Sequence, residues 1–191
     1  FSEVFAEGGF DILVANPPYG ATVENHVRDI YFNRSSDGSQ SKDTYGLFIA
    51  RGLQLLRENG FLCYIISDTW RTIKMHLPLR KLLIKNTTVH NFLDLPPWVF
   101  EATVNTCILS VSKKKVQKNH KIISGDLRAI PNNNWEMLRQ NLFSVAVGEE
   151  DIQNTMYARY TYPQILISNS SNCPFFIASP KLFVFFNNEM R

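Results

Sequence analysis

Apolar residues recur along this 191-residue chain in two rhythms. Four short runs, at residues 10–15 (FDILVA), 61–67 (FLCYIIS), 89–95 (VHNFLDL) and 103–113 (TVNTCILSVSK), are rich in β-branched and aromatic residues and read as strands. The first is continuously apolar, which predicts burial on both faces of a parallel sheet. Between the first two, "TYGLFIARGLQLLRE" at 44–58 sets Leu47, Ile49 or Ala50, Leu53 and Leu56 at helical spacing, and Asn59-Gly60 follows as a stop. "MHLPLRKLLIKN" at 75–86 predicts a second, basic helix with Pro78 in its first turn. Strand, loop, helix, strand is the unit of a parallel α/β sheet. The link from 95 to 103 is too short for a helix, so the last two strands are expected to pair antiparallel. Residues 21–43 hold so many turn formers that they read as a long loop. Beyond Lys121 the pattern weakens to a short strand at 121–127, a short helix at 132–143 and a closing apolar run at 175–186.

Composition narrows the classes. The hydrophobic fraction of 45% suffices for one core with an appendage. Three cysteines, Cys63, Cys107 and Cys173, stand at no metal spacing and cannot all pair, so they read as reduced thiols and no metal site is expected. No apolar run approaches bilayer length and the N-terminal stretch is acidic, which predicts a soluble cytoplasmic chain without a membrane. The net charge of +3 conceals a strip: residues 71–128 carry eleven bases and three acids, locally about +8. Such a strip suits a polyanion. Arg71, Lys74, Arg80, Lys81, Lys113, Lys114 and Lys115 are its candidates for the backbone of double-stranded DNA, with a solvated lysine-rich surface as the alternative.

The chemistry-bearing stretch is "NPPY", Asn16 to Tyr19, at the end of the first predicted strand, where open α/β sheets bind ligands. With "TYGLFIARGLQLLRENGFLCYIISDTW" after it and "VFEATVNTCILSV" later, it resembles the N6-adenine DNA methyltransferases of restriction–modification systems, the TaqI- and Eco57I-like family. The resemblance covers roughly residues 1–115. It implies an α/β, Rossmann-like sheet that uses S-adenosylmethionine, here in its later strands, ending in an antiparallel hairpin and followed by a C-terminal extension.

The amino nitrogen of adenine is a poor nucleophile because its lone pair is delocalised into the ring. Acceptors aimed at both N–H bonds favour the localised form: the side-chain carbonyl of Asn16 and the backbone carbonyl of Pro17, held by the fixed φ of Pro17 and Pro18. Tyr19 offers a face for the base, which must first leave the duplex. The resemblance places Phe100 as the opposing wall, with Trp98 as second choice, and sets Phe48 near the adenine of the cofactor, beside Asn16. Each has a plainer reading, as turn or as core. Asp68 reads first as a helix cap; His26, His76, His90 and His120 are assigned no role.

The family's Gly-rich cofactor turn is not in the chain, whose nine glycines form no GxG. The expectation is therefore the later half of a methyltransferase core over 1–118, with 119–191 starting a target-recognition region, and a missing N-terminal half as partner. The alternatives are methylation of another amino group (cytosine N4, ribosomal RNA guanine N2 or a protein glutamine) and a non-catalytic DNA-binding module.

Overall fold

The computed structural model describes residues 2–18, 43–100 and 104–189. Helix α1 (Ser2–Ala6) precedes strand β1 (Phe10–Ala15), then come α2 (Thr44–Leu55), β2 (Leu56–Ser67), α3 (Leu77–Asn86), β3 (Thr88–Asp94), β4 (Thr106–Ser112), β5 (Lys121–Asp126), α4 (Trp135–Val147), β6 (Ile152–Gln153), β7 (Ala158–Pro163), α5 (Ile165–Ser168) and α6 (Pro180–Glu189). The strands form one sheet in the order β1-β2-β4-β3-β5-β7-β6. β1 and β2 are parallel, β4 inserts antiparallel between β2 and β3, and β3 is parallel to β5. The antiparallel pairing of the third and fourth strands follows from their short link, as expected.

Two apolar layers clamp the sheet. On one face α2 and α3 bury Ile49, Leu53, Leu79 and Leu83 against Leu62, Ile66, Phe92 and Leu109, joined by Tyr162, Phe175 and Phe183 from the last third of the chain. On the other, α4 packs Leu138 and Val145 on Leu93, with Ile108 and Ile123 beside them. The strand alternation sorts Phe92 from Leu93 and Leu109 from Ile108.

Two expectations change. β1 is not buried on both faces: Leu13 and Ala15 pack inward, whereas Ile12 is 64% and Val14 76% exposed. The reason is coverage, because α4 lies over β3 and β5 and no described element covers β1 on that side. β2 starts five residues early. Leu56 pairs with Phe10 and Phe61 with Ile12, so residues 57–60 bulge, and Asn59, expected as a helix stop, turns the chain there at φ 65. Residues from 119 onward add to the same sheet and core. β5 hydrogen-bonds β3, and Tyr162, Phe175 and Phe183 share a cluster with Val89 and Phe92.

Candidate active site at the carboxyl end of the sheet

Parallel strands deliver their carboxyl ends to one edge, and Asn16 is at that edge. The β1 ladder stops with Ala15 opposite Tyr64; Asn16 is exposed, Pro17 is buried and Pro18 is exposed. Neither proline has an N–H to extend the ladder. Pro18 is tied down instead: the Thr44 hydroxyl, at the first residue of α2, donates to its carbonyl at 2.8 Å. Tyr19 and the expected loop over 21–43, apart from Asp43, lie outside the described residues.

A buried polar cluster continues inward from Thr44. The Tyr45 hydroxyl is 3.0 Å from Thr69 Oγ1 and 3.2 Å from His76 Nε2, and Thr69 Oγ1 is 2.9 Å from Ser67 Oγ. His76 Nε2 is also 3.2 Å from a carboxylate oxygen of Asp43, the N-cap residue of α2, whose side chain makes no cap hydrogen bond. Burial raises the Tyr45 phenol and lowers the His76 imidazole, the latter against the pull of Asp43. Both are neutral at pH 7. A carboxylate only accepts, which puts the imidazole proton on Nε2, and Nδ1 is then a buried acceptor with no partner among the described residues.

Beside this cluster runs a ribbon of charge. Asp68, Asp94 and Asp126 end or follow β2, β3 and β5, and two arginines interleave with them. Arg71 bonds Asp94 at 2.8 Å and Asp68 at 3.3 Å, while Arg128 grips both oxygens of Asp126 at 2.9 and 2.5 Å and lies 3.7 Å from Asp94. Burial raises the Asp94 carboxyl to about 6, despite Arg71 and Arg128, and its Oδ1 has no hydrogen-bond partner among the described residues. Asp68, expected as a cap, instead pairs with Arg71, and Ser67 caps the turn Asp68–Arg71 by accepting from Thr69 N.

Phe100 follows the turn Pro97–Val99 after β3 and so lies on the same edge as Asn16, half-buried. The β1-β2-β4-β3 order puts three strand spacings, about 14 Å, between their strands. Trp98 is committed elsewhere: its indole N–H donates to Ile130 O at 3.0 Å and its ring meets Trp135 edge-on at 4.9 Å. Phe48 is 44% exposed on α2 rather than core.

The basic candidates divide. Lys74 is exposed at the site's edge, and Lys81 is exposed midway along α3. Arg71 belongs to the aspartate ribbon. Arg80 is a correction to the sequence reading. It is 1% exposed, and its guanidinium donates to the carbonyls of Trp70 and Ile73, both at 2.7 Å, and of Asn172 at 3.0 Å, so nothing of it faces a phosphate. Lys113, Lys114 and Lys115 lie at the other end of the sheet. Ser112 pairs with Phe61 at the amino end of β2, six residues of strand or about 20 Å from Ser67. There Lys113 donates to the carbonyl of Leu56, at the C-terminus of α2, at 2.7 Å. A cavity of about 300 Å³ beside it, between α2 and α3, holds Lys85, Lys114 and Lys115 with Glu58. Cations there complement two helix C-termini.

Thr44, Tyr45, Ser67, Thr69 and His76 were not legible as site residues. Tyr45 and His76 are 31 positions apart, and only the fold brings them together. The one local signal was Thr44-Tyr45 opening a helix immediately after a polar stretch.

Among the described residues no group of His, Cys, Asp and Glu could hold a metal, and no helix is long and apolar enough to cross a membrane. The family model described as Eco57I restriction-modification methylase matches residues 1–100. The type II restriction enzyme and methyltransferase RM.Eco57I of Escherichia coli is 33% identical over 114 residues, which are 55% of this chain and 11% of that protein. The adenine-specific methyltransferase BrxX of Escherichia coli O9:H4 (strain HS) is 28% identical over 81 residues, 41% of this chain and 7% of that one. Among solved structures, the M protein of the type I restriction enzyme EcoKI superposes with a TM-score of 0.67 over 99% of this chain and 48% of its own, at 14% identity, a likeness of fold.

Proposed function

We propose, since the chain belongs to the Eco57I restriction-modification methylase family, that the Asn16–Pro18 turn presents hydrogen-bond acceptors to the N6 amino group of an adenine in DNA. The observation that carries this is the end of the β1 ladder: the last paired residue is Ala15, and the next side chain, Asn16, is exposed at the carboxyl edge. Pro18 already gives its carbonyl to Thr44. Of the two proline carbonyls, Pro17's is therefore assigned to the substrate, with the side-chain carbonyl of Asn16 as its companion. The two acceptors complement the positive charge that grows on the nitrogen as it is alkylated. No strong base is required, because the alkylated nitrogen becomes acidic and releases its proton to solvent. Tyr19 and Phe100 are assigned to the two faces of the extruded base, where stacking contributes ~1–3 kcal/mol per base.

S-adenosylmethionine supplies the electrophilic methyl group. Of the described residues, exposed Asn16 and the half-exposed ring of Phe48 fit one wall of its site. The Gly8-Gly9 pair does not serve as its cradle. A Cβ on Gly9 would stand 2.4 Å from Leu55 O, so that space is filled by the chain's own backbone. The remaining walls are assigned to the N-terminal half of the methyltransferase core, which this reading makes a partner of the chain along the open edge of β1. In the whole protein that contains this chain, Asn16→Ala should lower methyl transfer to adenine-containing duplexes by about 10²–10³-fold while leaving DNA affinity, which phosphate contacts dominate, within twofold. Transfer from labelled S-adenosylmethionine to adenine-containing against cytosine-only duplexes is the measurement. Near-normal transfer by the variant would refute the assignment.

A further inference from the structure

We propose that Thr44, Tyr45 and His76 are positioning residues: a buried hydrogen-bonded relay running from Asp43 to Ser67 that fixes the Asn16–Pro18 turn in its reacting geometry. The inference rests on the reading of that turn as the acceptor of an amino group, and it assigns work to three residues that touch no substrate.

The turn needs such a support. Asn16 and Pro18 are exposed, the ladder has ended, and two prolines bring no backbone donor. The Thr44 hydroxyl, whose residue is 3% exposed, donates a hydrogen bond that anchors the turn. A single hydroxyl on a helix terminus fixes a loop only as well as that terminus is itself fixed. In the first turn of α2 the Gly46 N–H reaches the Asp43 carbonyl at 3.1 Å, while the N–H groups ahead of it precede the intrahelical ladder, and Asp43 at the N-cap does not engage them through its side chain. What holds this terminus is the residue after Thr44. Tyr45 is 2% exposed, and its hydroxyl joins the helix to two points of the turn that follows β2, Thr69 and His76. His76, 1% exposed, reaches back to Asp43 and so clamps the N-cap from the other side. Thr69 in turn is fixed on Ser67, the last residue of β2, whose strand pairs directly with β1. The path therefore closes on itself, from β1 through Pro18, Thr44, Tyr45, Thr69 and Ser67 back to the strand beside β1.

Burial at this level makes the relay stiff. Each hydroxyl or imidazole removed from water is costly unless paired, so the partners must move together or not at all. A bland core would serve packing with leucine and phenylalanine alone. Here five polar side chains and a carboxylate converge behind the turn that Thr44 holds through Pro18. Placement of acceptors is where small errors matter, since an error of about 1 Å in reacting geometry lowers rate roughly 10²-fold.

The test uses the whole protein and separates turnover from binding. Thr44→Val removes only the hydroxyl that holds Pro18, and Thr44→Ser keeps it. Tyr45→Phe removes the phenol oxygen. His76→Leu removes the ring nitrogens, while His76→Gln restores a donor of similar reach. The expected result is a kcat lowered about 10- to 100-fold in Thr44→Val, Tyr45→Phe and His76→Leu, with KM for both substrates within about threefold of wild type, and kcat substantially recovered in Thr44→Ser and His76→Gln. Unchanged kcat in Thr44→Val would overturn the proposal, as would a Thr44→Ser variant no better than Thr44→Val. Should Tyr45→Phe or His76→Leu fail to fold, the Thr44 pair decides, since it alters one surface of a helix end and no ring. A wild-type protein that methylates a different amino group overturns the adenine reading and leaves this one to be scored on that acceptor. A wild-type protein that transfers methyl to no acceptor overturns both.

Discussion

The two ends of the central strands of this sheet carry polar and charged residues of opposite use. At the carboxyl end, Asp68, Arg71, Asp94, Arg128 and Asp126 bind one another across three strands, and Thr44, Tyr45, Thr69, Ser67 and His76 are hydrogen-bonded in the interior. At the amino end, Lys85, Lys113, Lys114 and Lys115 gather round the termini of α2 and α3 with Glu58 as the single carboxylate. A linear sequence merges the two as one basic strip. The fold separates them by a strand's length, and with that separation Lys113 becomes the partner of a helix carbonyl while Lys85, Lys114 and Lys115 line the cavity beside it. Charge density in a sequence counts residues, whereas a site counts what each charge has left after its neighbours are satisfied.

The sharpest way to break this contrast is Arg80, which the charge strip includes and the core claims. Arg80→Met should destabilise the chain by roughly 3–5 kcal/mol, because three backbone carbonyls lose a buried charged donor at once. Urea denaturation measures it, and a loss under about 1 kcal/mol would return Arg80 to the surface. Next is Asp94. Its carboxyl is raised to about 6 from 3.8, so the folded state binds its proton more tightly than the unfolded state. The stability this contributes is full below about 4 and lost as pH rises through 6. Relative to Asp94→Asn, the wild type should therefore gain about 1–1.5 kcal/mol between pH 7.5 and 5. His90 is lowered to about 4 and His76 is lowered too, both mainly by burial, so they act in the opposite sense over this window. The difference between the two proteins, not the wild-type profile alone, is the quantity to measure. A flat difference would mean that Arg71 and Arg128 hold Asp94 ionised throughout.

The smallest effects test the amino end. Lys114→Ala and Lys115→Ala should each change stability by no more than about 0.5 kcal/mol, as for exposed charges at a helix terminus. In the whole protein neither should alter the salt dependence of DNA binding. Lys74→Ala, at the carboxyl end, should reduce the log–log salt slope by about 0.9. Equal changes from the two ends would erase the distinction.

Much of the architecture could be read from the chain because periodicity reports which face is covered. The four main strands, α2, α3 with Pro78 in its first turn, and α4 behind Asn134 were all visible as patterns. The misreadings share one cause, which is that coverage belongs to the partner and not to the strand. The apolar run of β1 says that Ile12 and Val14 could be buried, but α4 lies elsewhere. β7 is not marked by an aliphatic run, since ARYTYP holds no Val, Ile or Leu, although Tyr162 is wholly buried with its hydroxyl on Phe176 O at 2.9 Å. The Asn16–Pro18 turn was legible as a candidate because proline geometry is local. Its supports were not, because Tyr45, Thr69 and His76 meet only through tertiary packing.

Arg80 also sets an order of events during synthesis. Its guanidinium ties residues 70 and 73 to residue 172, a closure across some hundred positions. A growing chain folds from its N-terminus while the rest is still being made, so β1 through β4 can pair long before Asn172 exists. Until it arrives, one arm of that guanidinium has no protein partner at Asn172, and Phe175, whose N–H bonds Arg71 O at 3.1 Å and whose ring lies 4.7 Å from that of Trp70, is absent from the core. The turn that carries Thr69 and His76 is thus completed by a segment translated some hundred residues after it, and a ribosome-bound chain stopped before residue 172 would hold every strand of the candidate site with that turn still unfastened.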